Sequence, residues 1–437
     1  MVIIILLNNF IIFSLCDGVH RKSQLLFFID AMLIGLCYIL TSGIFLSGYI
    51  ILLGGSDFIV GFLNSSAIWG SFTALFSFLI YERLSRRKTL LIVFFFISRI
   101  LSCSIIFLPI VSNSSSLILT MTTCMVIIGN VLWGIFSIGF VIWIMEILNE
   151  ETRNRYMFLR MSLIRISFTI ASLIMGFVLD KFGKTYTGFF IVFCTSLVLS
   201  IADGTLLVSI NEAPNTVSPN MKETLKGFFE PLKDQLYRAY LVFILLFYFC
   251  YHMAFSFISV YMIRYLRLEY SFMSTIQVVE YISMALFTGV WGVVYVKKGP
   301  VNILKITSGL LILQFLISGF LTKNTYYLLF ITSFLHGVWN SGFTVVSMTM
   351  RYELMPEGGK TIYEGWHGAV IGFSTFTAPV TGSLLLGVLP VIDNSIIQFG
   401  NFQLLFIVSA VLLFFVMILS AFACFNRRNC LQWNVKY

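Results

Sequence analysis

Ionisable residues that interrupt long apolar runs are the first candidates for chemistry, and the four strongest are Asp30, Arg99, Arg165 and Glu280. A charged side chain inside such a run is costly to bury, so it is expected to have a partner or a function. The carboxyl groups of Asp30 and Glu280 could bind and release a proton, with Arg99 and Arg165 as charge partners. The alternative is that these groups form arginine–carboxylate pairs that only hold helices together.

A second set of polar residues follows helical spacing. His336, Trp339 and Asn340 lie at positions i, i+3 and i+4, so a helix would place them on one face. That face could hydrogen-bond and stack against a small molecule. The alternative is that a histidine in such a run only satisfies a contact between helices.

One polar pattern occurs twice, each time between two long apolar runs. The pattern Glu-x3-Glu-x2-basic-x2-Tyr is found as Glu146, Glu150, Arg153 and Tyr156 and again as Glu353, Glu357, Lys360 and Tyr363. Tyr49 and Tyr261 also occupy similar positions in the two parts of the chain. The pattern therefore indicates two copies of one membrane unit, which suggests a protein that moves one half against the other.

The composition indicates that lipid is the solvent around these units. Charged residues make up 11% of the chain and hydrophobic residues 59%, whereas a soluble domain carries roughly a quarter charged residues. The apolar runs are continuous and do not alternate, which favours helices over a membrane barrel. The eight cysteines show no metal-ligand spacing, so no metal or other cofactor is expected.

The apolar runs predict an all-α integral membrane protein with twelve transmembrane helices in two six-helix halves. The predicted spans are 25–50, 57–80, 89–110, 118–145, 157–180 and 185–209, then 239–262, 271–295, 302–321, 325–350, 364–390 and 400–424. The halves cover 21–210 and 238–425, joined by a cytoplasmic linker at 211–237 that includes a short amphipathic helix at 221–236. Residues 426–437 form a cytoplasmic tail, and the apolar segment 1–20 is expected to lie at the membrane interface. The alternative is that residues 1–16 cross the membrane as a thirteenth span.

The distribution of basic residues predicts the orientation. Most of the 28 Lys and Arg residues fall in loops on one side, including Arg153, Arg155 and Arg160. The opposite side holds only Lys181, Lys184, Arg264, Arg267 and Lys323. The positive-inside rule then places the N-terminus and the C-terminus in the cytoplasm. The same distribution explains the net charge of +9 without a nucleic-acid partner.

The loop after span two carries a family resemblance. Phe78 to Lys88 reads FLIYERLSRRK, which resembles the G-x-x-x-D-R-x-G-R-R/K loop of the major facilitator superfamily. Phe78 replaces the first Gly, Glu82 the Asp and Ser85 the second Gly. The segment 45–63, FLSGYIILLGGSDFIVGFL, is also similar to poorly characterised bacterial members whose substrates are largely undefined.

The resemblance implies roles for several residues. Spans seven and ten line the substrate cavity in that superfamily, which makes His252, His336, Trp339 and Asn340 candidates for substrate contact, with Asn130 and Trp133 of span four on the opposite wall. The loop residues Glu82, Arg83, Arg86 and Arg87 are expected to switch partners as the conformation changes. The repeated Glu146, Arg153, Glu353 and Lys360 could act in the same way. The alternatives are a simple topological anchor and helix caps.

Taken together, the expected function is secondary active transport of a small molecule by alternating access. Export of an amphipathic compound is preferred because aromatic residues are abundant and charges within the spans are sparse. The alternatives are proton-coupled uptake of a polar metabolite and a non-transporting receptor or scaffold. No nucleotide-binding motif is present, and no enzyme activity is expected. The expected partners are the substrate, protons and the lipid of the cell membrane, with the protein as a monomer.

Overall fold

A computed structural model describes residues 20–73, 81, 84, 86–148, 150–212, 228–356, 360–393 and 398–423. Within these ranges eleven helices are long and apolar enough to cross a membrane, and they fall on eleven of the twelve predicted spans. Span two forms the helix Asp57–Trp69 and the 3-10 turn Gly70–Thr73. Its predicted continuation to residue 80 lies outside the described residues.

The first half contains spans one to six. Their helices are Arg21–Leu40 and Gly43–Leu52 (span one), Asp57–Trp69 (two), Lys88–Ser104 with Ile105–Phe107 and Leu108–Val111 (three), Ser115–Ile147 (four), Glu150–Lys181 (five) and Tyr186–Val208 (six). Span one is interrupted at Thr41 and Ser42, where the Ser42 hydroxyl donates to the carbonyl of Tyr38 at 3.0 Å. Gly43 restarts the helix with a φ of 53°, a conformation that glycine adopts without steric cost.

The second half contains spans seven to twelve. Its helices are Glu230–Lys233 before the membrane, Gln235–Phe255 with Ile258–Val260 and the π-helical turn Tyr261–Tyr265 (seven), Tyr270–Ser318 (eight and nine), Leu328–Leu354 (ten), Lys360–Val388 (eleven) and Asn401–Ala423 (twelve). Spans eight and nine meet at Gly299, whose φ of 74° breaks the long helix. Two short strands, Ile392–Asp393 and Gln398–Phe399, pair antiparallel between spans eleven and twelve.

The helix at the described end of the linker is shorter than the sequence predicts. Of the helix expected over 221–236, the part up to residue 227 lies outside the described residues, and Glu230–Lys233 forms a single turn. The turn ends because the Asp234 carboxylate caps the next helix, accepting from the backbone N–H groups of Leu236 and Tyr237. The next helix is span seven.

Contacts divide the chain into two compact units, residues 1–55 with 76–219 and residues 56–75 with 220–437. The second unit thus includes the described part of span two. Asp57 pairs with Arg264 there, and the Ser65 hydroxyl lies 2.6 Å from that of Ser256. The two units therefore depart from the predicted halves at span two.

The repeated tyrosines pack in corresponding ways inside the two units. The Tyr156 hydroxyl donates to the carbonyl of Gln24 in span one at 2.6 Å. Tyr363 lies against Tyr237 of span seven, with ring centroids 4.6 Å apart, and its carbonyl accepts from the Tyr237 hydroxyl at 2.7 Å. Each copy therefore joins the fifth span of its half to the first.

Candidate functional site

The first unit contains a buried cluster of charged side chains from four spans. Asp30, Arg99, Arg160 and Asp203 come from spans one, three, five and six, and all are buried. Arg160 Nη2 donates to Asp30 Oδ2 at 2.5 Å, and Arg160 also donates to the carbonyl of Phe27. This hydrogen-bonded geometry is what a buried ion pair needs to offset the loss of hydration.

The partner of Asp30 corrects two expectations from the sequence. The sequence places Arg160 in a cytoplasmic loop, but it lies inside span five with 3% of its side chain exposed. Arg160, rather than Arg99 or Arg165, therefore makes the ion pair with Asp30. Arg165 is half-buried further along the same helix. Arg160 also falls within the predicted span 157–180, and the helix begins earlier still, at Glu150, so the count of basic residues placed it on the wrong side of the span boundary.

Asp203 belongs to the cluster and was not predicted. Its side chain is 0% exposed, and among the described residues its carboxyl group has no hydrogen-bond partner other than the carboxyl group of Asp30. The group lies next to the Asp30 carboxyl and within electrostatic reach of Arg160 and Arg99. The signal was present in the sequence, because Asp203 is an acid inside an apolar run, as Asp30 is.

Arg99 is held by aromatic rings instead of by a carboxylate. Its guanidinium carbon lies 4.1 Å from the centroid of Trp133 and 5.1 Å from that of Tyr38. The Nε and Nη1 atoms of Arg99 have no hydrogen-bond partner among the described residues. The arrangement is a buried cation–π contact. Asn130, one turn before Trp133, is half-buried.

In the second unit the predicted residues Glu280 and His336 meet. His336 Nδ1 lies 2.9 Å from Glu280 Oε1, and His336 Nε2 lies 2.8 Å from the Tyr251 hydroxyl. The His336 ring is buried and stacks on Phe255 with centroids 5.1 Å apart. The Glu280 side chain remains 22% exposed, so this carboxylate is accessible while its histidine is not.

Aromatic residues surround this pair. The indole N–H of Trp339 donates to Gln314 Oε1 at 2.6 Å, and His252 stacks on Tyr248 with centroids 6.0 Å apart. Asn340 is half-buried, and its side-chain oxygen accepts from Thr344 at 3.3 Å. Gln314 was not predicted, because a glutamine in an apolar span gives a weaker signal than a charge.

Three residues of each cluster occupy corresponding spans. In the first unit Tyr38 and Trp133 lie 5.4 Å apart, and span three supplies Arg99. In the second unit Tyr251 and Trp339 lie 5.2 Å apart, and span nine supplies Gln314. The tryptophan of each Tyr–Trp pair therefore contacts a third residue, which is the cation Arg99 in the first unit and the neutral amide of Gln314 in the second.

Two of the predicted switch residues, Arg87 and Glu146, form an ion pair within the first unit. Arg87 Nη1 lies 3.1 Å from Glu146 Oε1. Glu212 accepts from the backbone N–H groups of Arg87 and Lys88 and so caps span three. Arg86 is exposed, and Arg153 reaches the carbonyl of Leu148 at 3.5 Å. Glu82 and Arg83 lie outside the described residues.

The second copy of the repeated pattern makes different contacts. Glu353 accepts from the Tyr295 hydroxyl at 3.3 Å. Partial burial raises the pKa of the Glu353 carboxyl, and the hydrogen bond from Tyr295 opposes that change. Lys360 is the first residue of the helix of span eleven.

Comparison with known proteins identifies the family. The description "Major Facilitator Superfamily" belongs to a family model that matches residues 31–323. The chain therefore belongs to the major facilitator superfamily. No curated protein sequence matches it significantly.

Solved structures of transporters share the fold. The nucleoside transporter NupG is 14% identical with a TM-score of 0.66 over 94% of this chain and 100% of its own. The D-xylose–proton symporter is 14% identical with a TM-score of 0.67 over 90% and 97%. A bacterial homologue of the iron transporter ferroportin, in its inward-facing state, is 14% identical with a TM-score of 0.70 over 92% and 98%. At this identity the likeness shows the fold alone.

Proposed function

We propose that the protein is a secondary active transporter that moves a small molecule across the cell membrane by alternating access. The observation that carries the proposal is that each unit holds a cluster of ionisable side chains inside its membrane spans. Ionisable groups are expensive inside a membrane and usually mark a substrate or ion pathway. The sequence has no nucleotide-binding motif, so a gradient is the energy source in this proposal.

The proposed substrate is a small amphipathic molecule, and the proposed direction is export. The second unit supports the choice of substrate, because the partly exposed Glu280 lies among the rings that surround His336. Aromatic rings bind the apolar part of a ligand, and one carboxylate can orient its polar part. The same site would discriminate poorly between apolar groups of similar size.

The Glu280–His336 pair is the proposed proton exchanger for this site. A carboxylate 2.9 Å from an imidazole nitrogen can share a proton with it, and histidine is the side chain whose charge changes nearest to neutral pH. Asp30, the other predicted proton carrier, is engaged by Arg160. We therefore assign Asp30 the role of holding the charged cluster of the first unit together.

A second candidate is proton-coupled uptake of a polar metabolite. The hydrogen bond between Tyr251 and His336 and the one from Trp339 to Gln314 favour it, because such a network can be re-formed around ligand hydroxyl or amide groups. Two solved structures of this fold carry the names of a nucleoside transporter and a D-xylose–proton symporter. Both candidates use the same residues, so they differ in ligand and in direction.

Counterflow in proteoliposomes tests the proposal. Purified protein is reconstituted and loaded with each member of a panel of amphipathic amines, nucleosides and sugars, and exchange of labelled ligand is followed at several pH values. A transporter exchanges at least one ligand, whereas a receptor or scaffold exchanges none at any pH. Accumulation driven by an imposed pH gradient then gives the direction.

The variant Glu280→Gln tests the role of the carboxylate. It is expected to abolish accumulation driven by the pH gradient and to retain counterflow, because counterflow needs no net proton movement. Glu269→Gln is the matched control, since Glu269 is an exposed acid just before the same helix. Unchanged accumulation by Glu280→Gln would refute the proton-exchange role of this residue.

A further inference from the structure

The charged cluster of the first unit contains an unusual concentration of unsatisfied polar atoms. Nε and Nη1 of Arg99 are buried without a hydrogen-bond partner among the described residues, and the carboxyl oxygens of Asp203 and Oδ1 of Asp30 accept from no N–H or hydroxyl donor there. The two neighbouring carboxyl groups can instead share one proton in a hydrogen bond. Buried polar atoms are nearly always hydrogen-bonded, so each exception needs an explanation. Here the exceptions fall on two acids and one base that interact electrostatically.

The positions of the ion pairs indicate which acid holds a proton. Asp30 has Arg160 at 2.5 Å, whereas no ion pair within 4.0 Å reaches Asp203 from any described residue. Two neighbouring carboxyl groups are not both ionised in a buried site unless each has a close cation. Asp203 is therefore the neutral member of the pair.

Arg99 can respond if Asp203 loses that proton, because span six packs on span three beside it, with Gly204 against the ring of Phe96. Arg160 is already committed to Asp30 and Phe27. Two nitrogen atoms of Arg99 have no hydrogen-bond partner, and in the described part of the chain its guanidinium is held by the rings of Tyr38 and Trp133 alone. In a low-dielectric interior a guanidinium is attracted more strongly to an ionised carboxylate than to an aromatic face.

We propose that Asp203 and Arg99 form a proton-driven switch in the first unit. With Asp203 protonated, Arg99 stacks on Tyr38 and Trp133. When the proton leaves Asp203 for water, the charged guanidinium of Arg99 moves to the carboxylate and releases the two rings. The switch rests on the proposed function, because it would change a half-buried Tyr–Trp pair that a transported substrate could contact.

The second unit supports this interpretation by contrast. Its Tyr251–Trp339 pair is completed by Gln314, which is neutral and hydrogen-bonded to the indole. Gln314 carries no charge that an ionised carboxylate could attract. The residue that completes the arrangement is therefore charged in the first unit and uncharged in the second.

The groups that face Asp203 define the pH response. Span six packs against spans one, three and five. The ionisable groups that these spans bring near the Asp203 carboxyl are Asp30, Cys37, Arg99 and Arg160, and Cys103 lies beside Cys37 and Arg99. The thiols stay neutral in such a buried place, so the charge change is confined to the acids.

Infrared and fluorescence measurements on the purified full-length protein test the switch. Wild-type protein is expected to show the carbonyl band of a protonated, buried carboxylic acid, and Asp203→Asn is expected to lose it. The part of the tryptophan emission that disappears in Trp133→Phe is expected to change with pH, because a stacked guanidinium perturbs the indole. Absence of the acid band from wild type, or its persistence in Asp203→Asn, would overturn the proposal.

Arg99→Gln keeps the test decisive if Asp203→Asn fails to fold. The second unit has a glutamine in the corresponding span, so this replacement is expected to be tolerated. It should retain the acid band and lose the pH dependence of Trp133 emission, whereas retention of that dependence would overturn the switch.

Neither optical readout depends on transport. A protein with the switch but without counterflow would refute the proposed function and leave the switch standing. A protein with counterflow but without the switch would refute the switch and leave the proposed function standing.

Discussion

Asp30 and Arg160 show what a single buried charge requires. Each side chain is almost fully enclosed, at 0% and 3% exposure, so neither can be solvated by water if its partner is removed. Breaking a buried ion pair on one side leaves an uncompensated charge, which is much more costly than the net worth of the pair itself.

Single and double replacements of this pair should therefore differ in stability. We expect Asp30→Leu or Arg160→Met alone to lower the free energy of unfolding by about 3–5 kcal/mol, and the double variant to lose less than either single variant. Thermal unfolding in detergent measures the effect. Arg155→Gln is the control, because Arg155 is an exposed charge in the same helix. A double variant less stable than both single variants would contradict this account.

At this scale the sequence identified acids more readily than their partners. Asp30 and Glu280 stand out because each interrupts an apolar run, and both form contacts with a base. Their partners, Arg160 and His336, lie far away in sequence, and pairing depends on how each helix is rotated. Hydrophobicity does not set that rotation in lipid, because a membrane helix is apolar on most faces. Asp203 could have been predicted by the rule already applied to Asp30, that an acid inside an apolar run is a candidate for function.

Helix contacts in this chain depend on particular glycines. A Cβ atom on Gly337 of span ten would overlap the carbonyl oxygen of Glu280 and lie 2.7 Å from Cβ of Ser283. Span ten therefore approaches the backbone of span eight closely at this point. The neighbouring residue is His336, so the same close approach brings the histidine to Glu280.

Gly337→Ala should separate the two helices and weaken the His336–Glu280 contact. We expect a loss of about 1–3 kcal/mol in unfolding free energy, because backbone atoms cannot yield as a flexible side chain does. Thermal unfolding gives the loss, and pH-driven flux in proteoliposomes should fall with it. Gly309→Ala is the control, since nothing lies within 4 Å of its added Cβ. That variant should be neutral or stabilised by roughly 0.5–1 kcal/mol, and equal losses in both variants would refute the packing argument.

The elements themselves were largely predictable, and their packing was not. The apolar runs gave eleven spans that are found as helices, and Gly299–Pro300 marks the break between spans eight and nine. The association of Asp57–Trp69 with the second unit has no counterpart in the hydrophobic pattern. It depends on individual contacts, such as Gly61 against the ring of Phe257, which appear only once the helices are packed.

For the whole molecule, the duplication seen in the sequence recurs in the packing. The hydroxyl groups of Tyr49 and Tyr261 donate to the carbonyls of Ile105 and Leu321, at 3.0 and 2.7 Å. Both tyrosine rings contact phenylalanines of the sixth span in their half, which are Phe189 and Phe193 in one and Phe402 and Phe406 in the other. The repeat therefore accounts for the architecture.

The two units differ where the candidate chemistry lies. The first unit has two acids and two arginines at its centre, and the second has a glutamate, two histidines and a glutamine. A duplicated scaffold needs the same packing residues in both copies, whereas a coupling site and a ligand site have different requirements. The sequence predicts the shared residues through repetition and does not predict which copy takes which role.

The orientation of the whole chain is the broadest remaining prediction. The basic loops place Lys298 in the cytoplasm and Lys323 on the opposite side. Alkaline phosphatase fused after Lys323 should therefore be active in a bacterial inner membrane, and the same fusion after Lys298 inactive. Green fluorescent protein fused at the same two sites should show the opposite pattern, which controls for expression.

A reporter at the N-terminus extends the same test to the first segment. If residues 1–20 lie at the interface, the N-terminus is cytoplasmic and fluorescent protein fused there is bright. If they cross the membrane as a thirteenth span, the reporter is translocated and dark while the fusions after Lys298 and Lys323 keep their pattern. An active phosphatase after Lys298 would instead show that the whole chain has the opposite orientation, because the alternating loops allow only two orientations of the remaining spans.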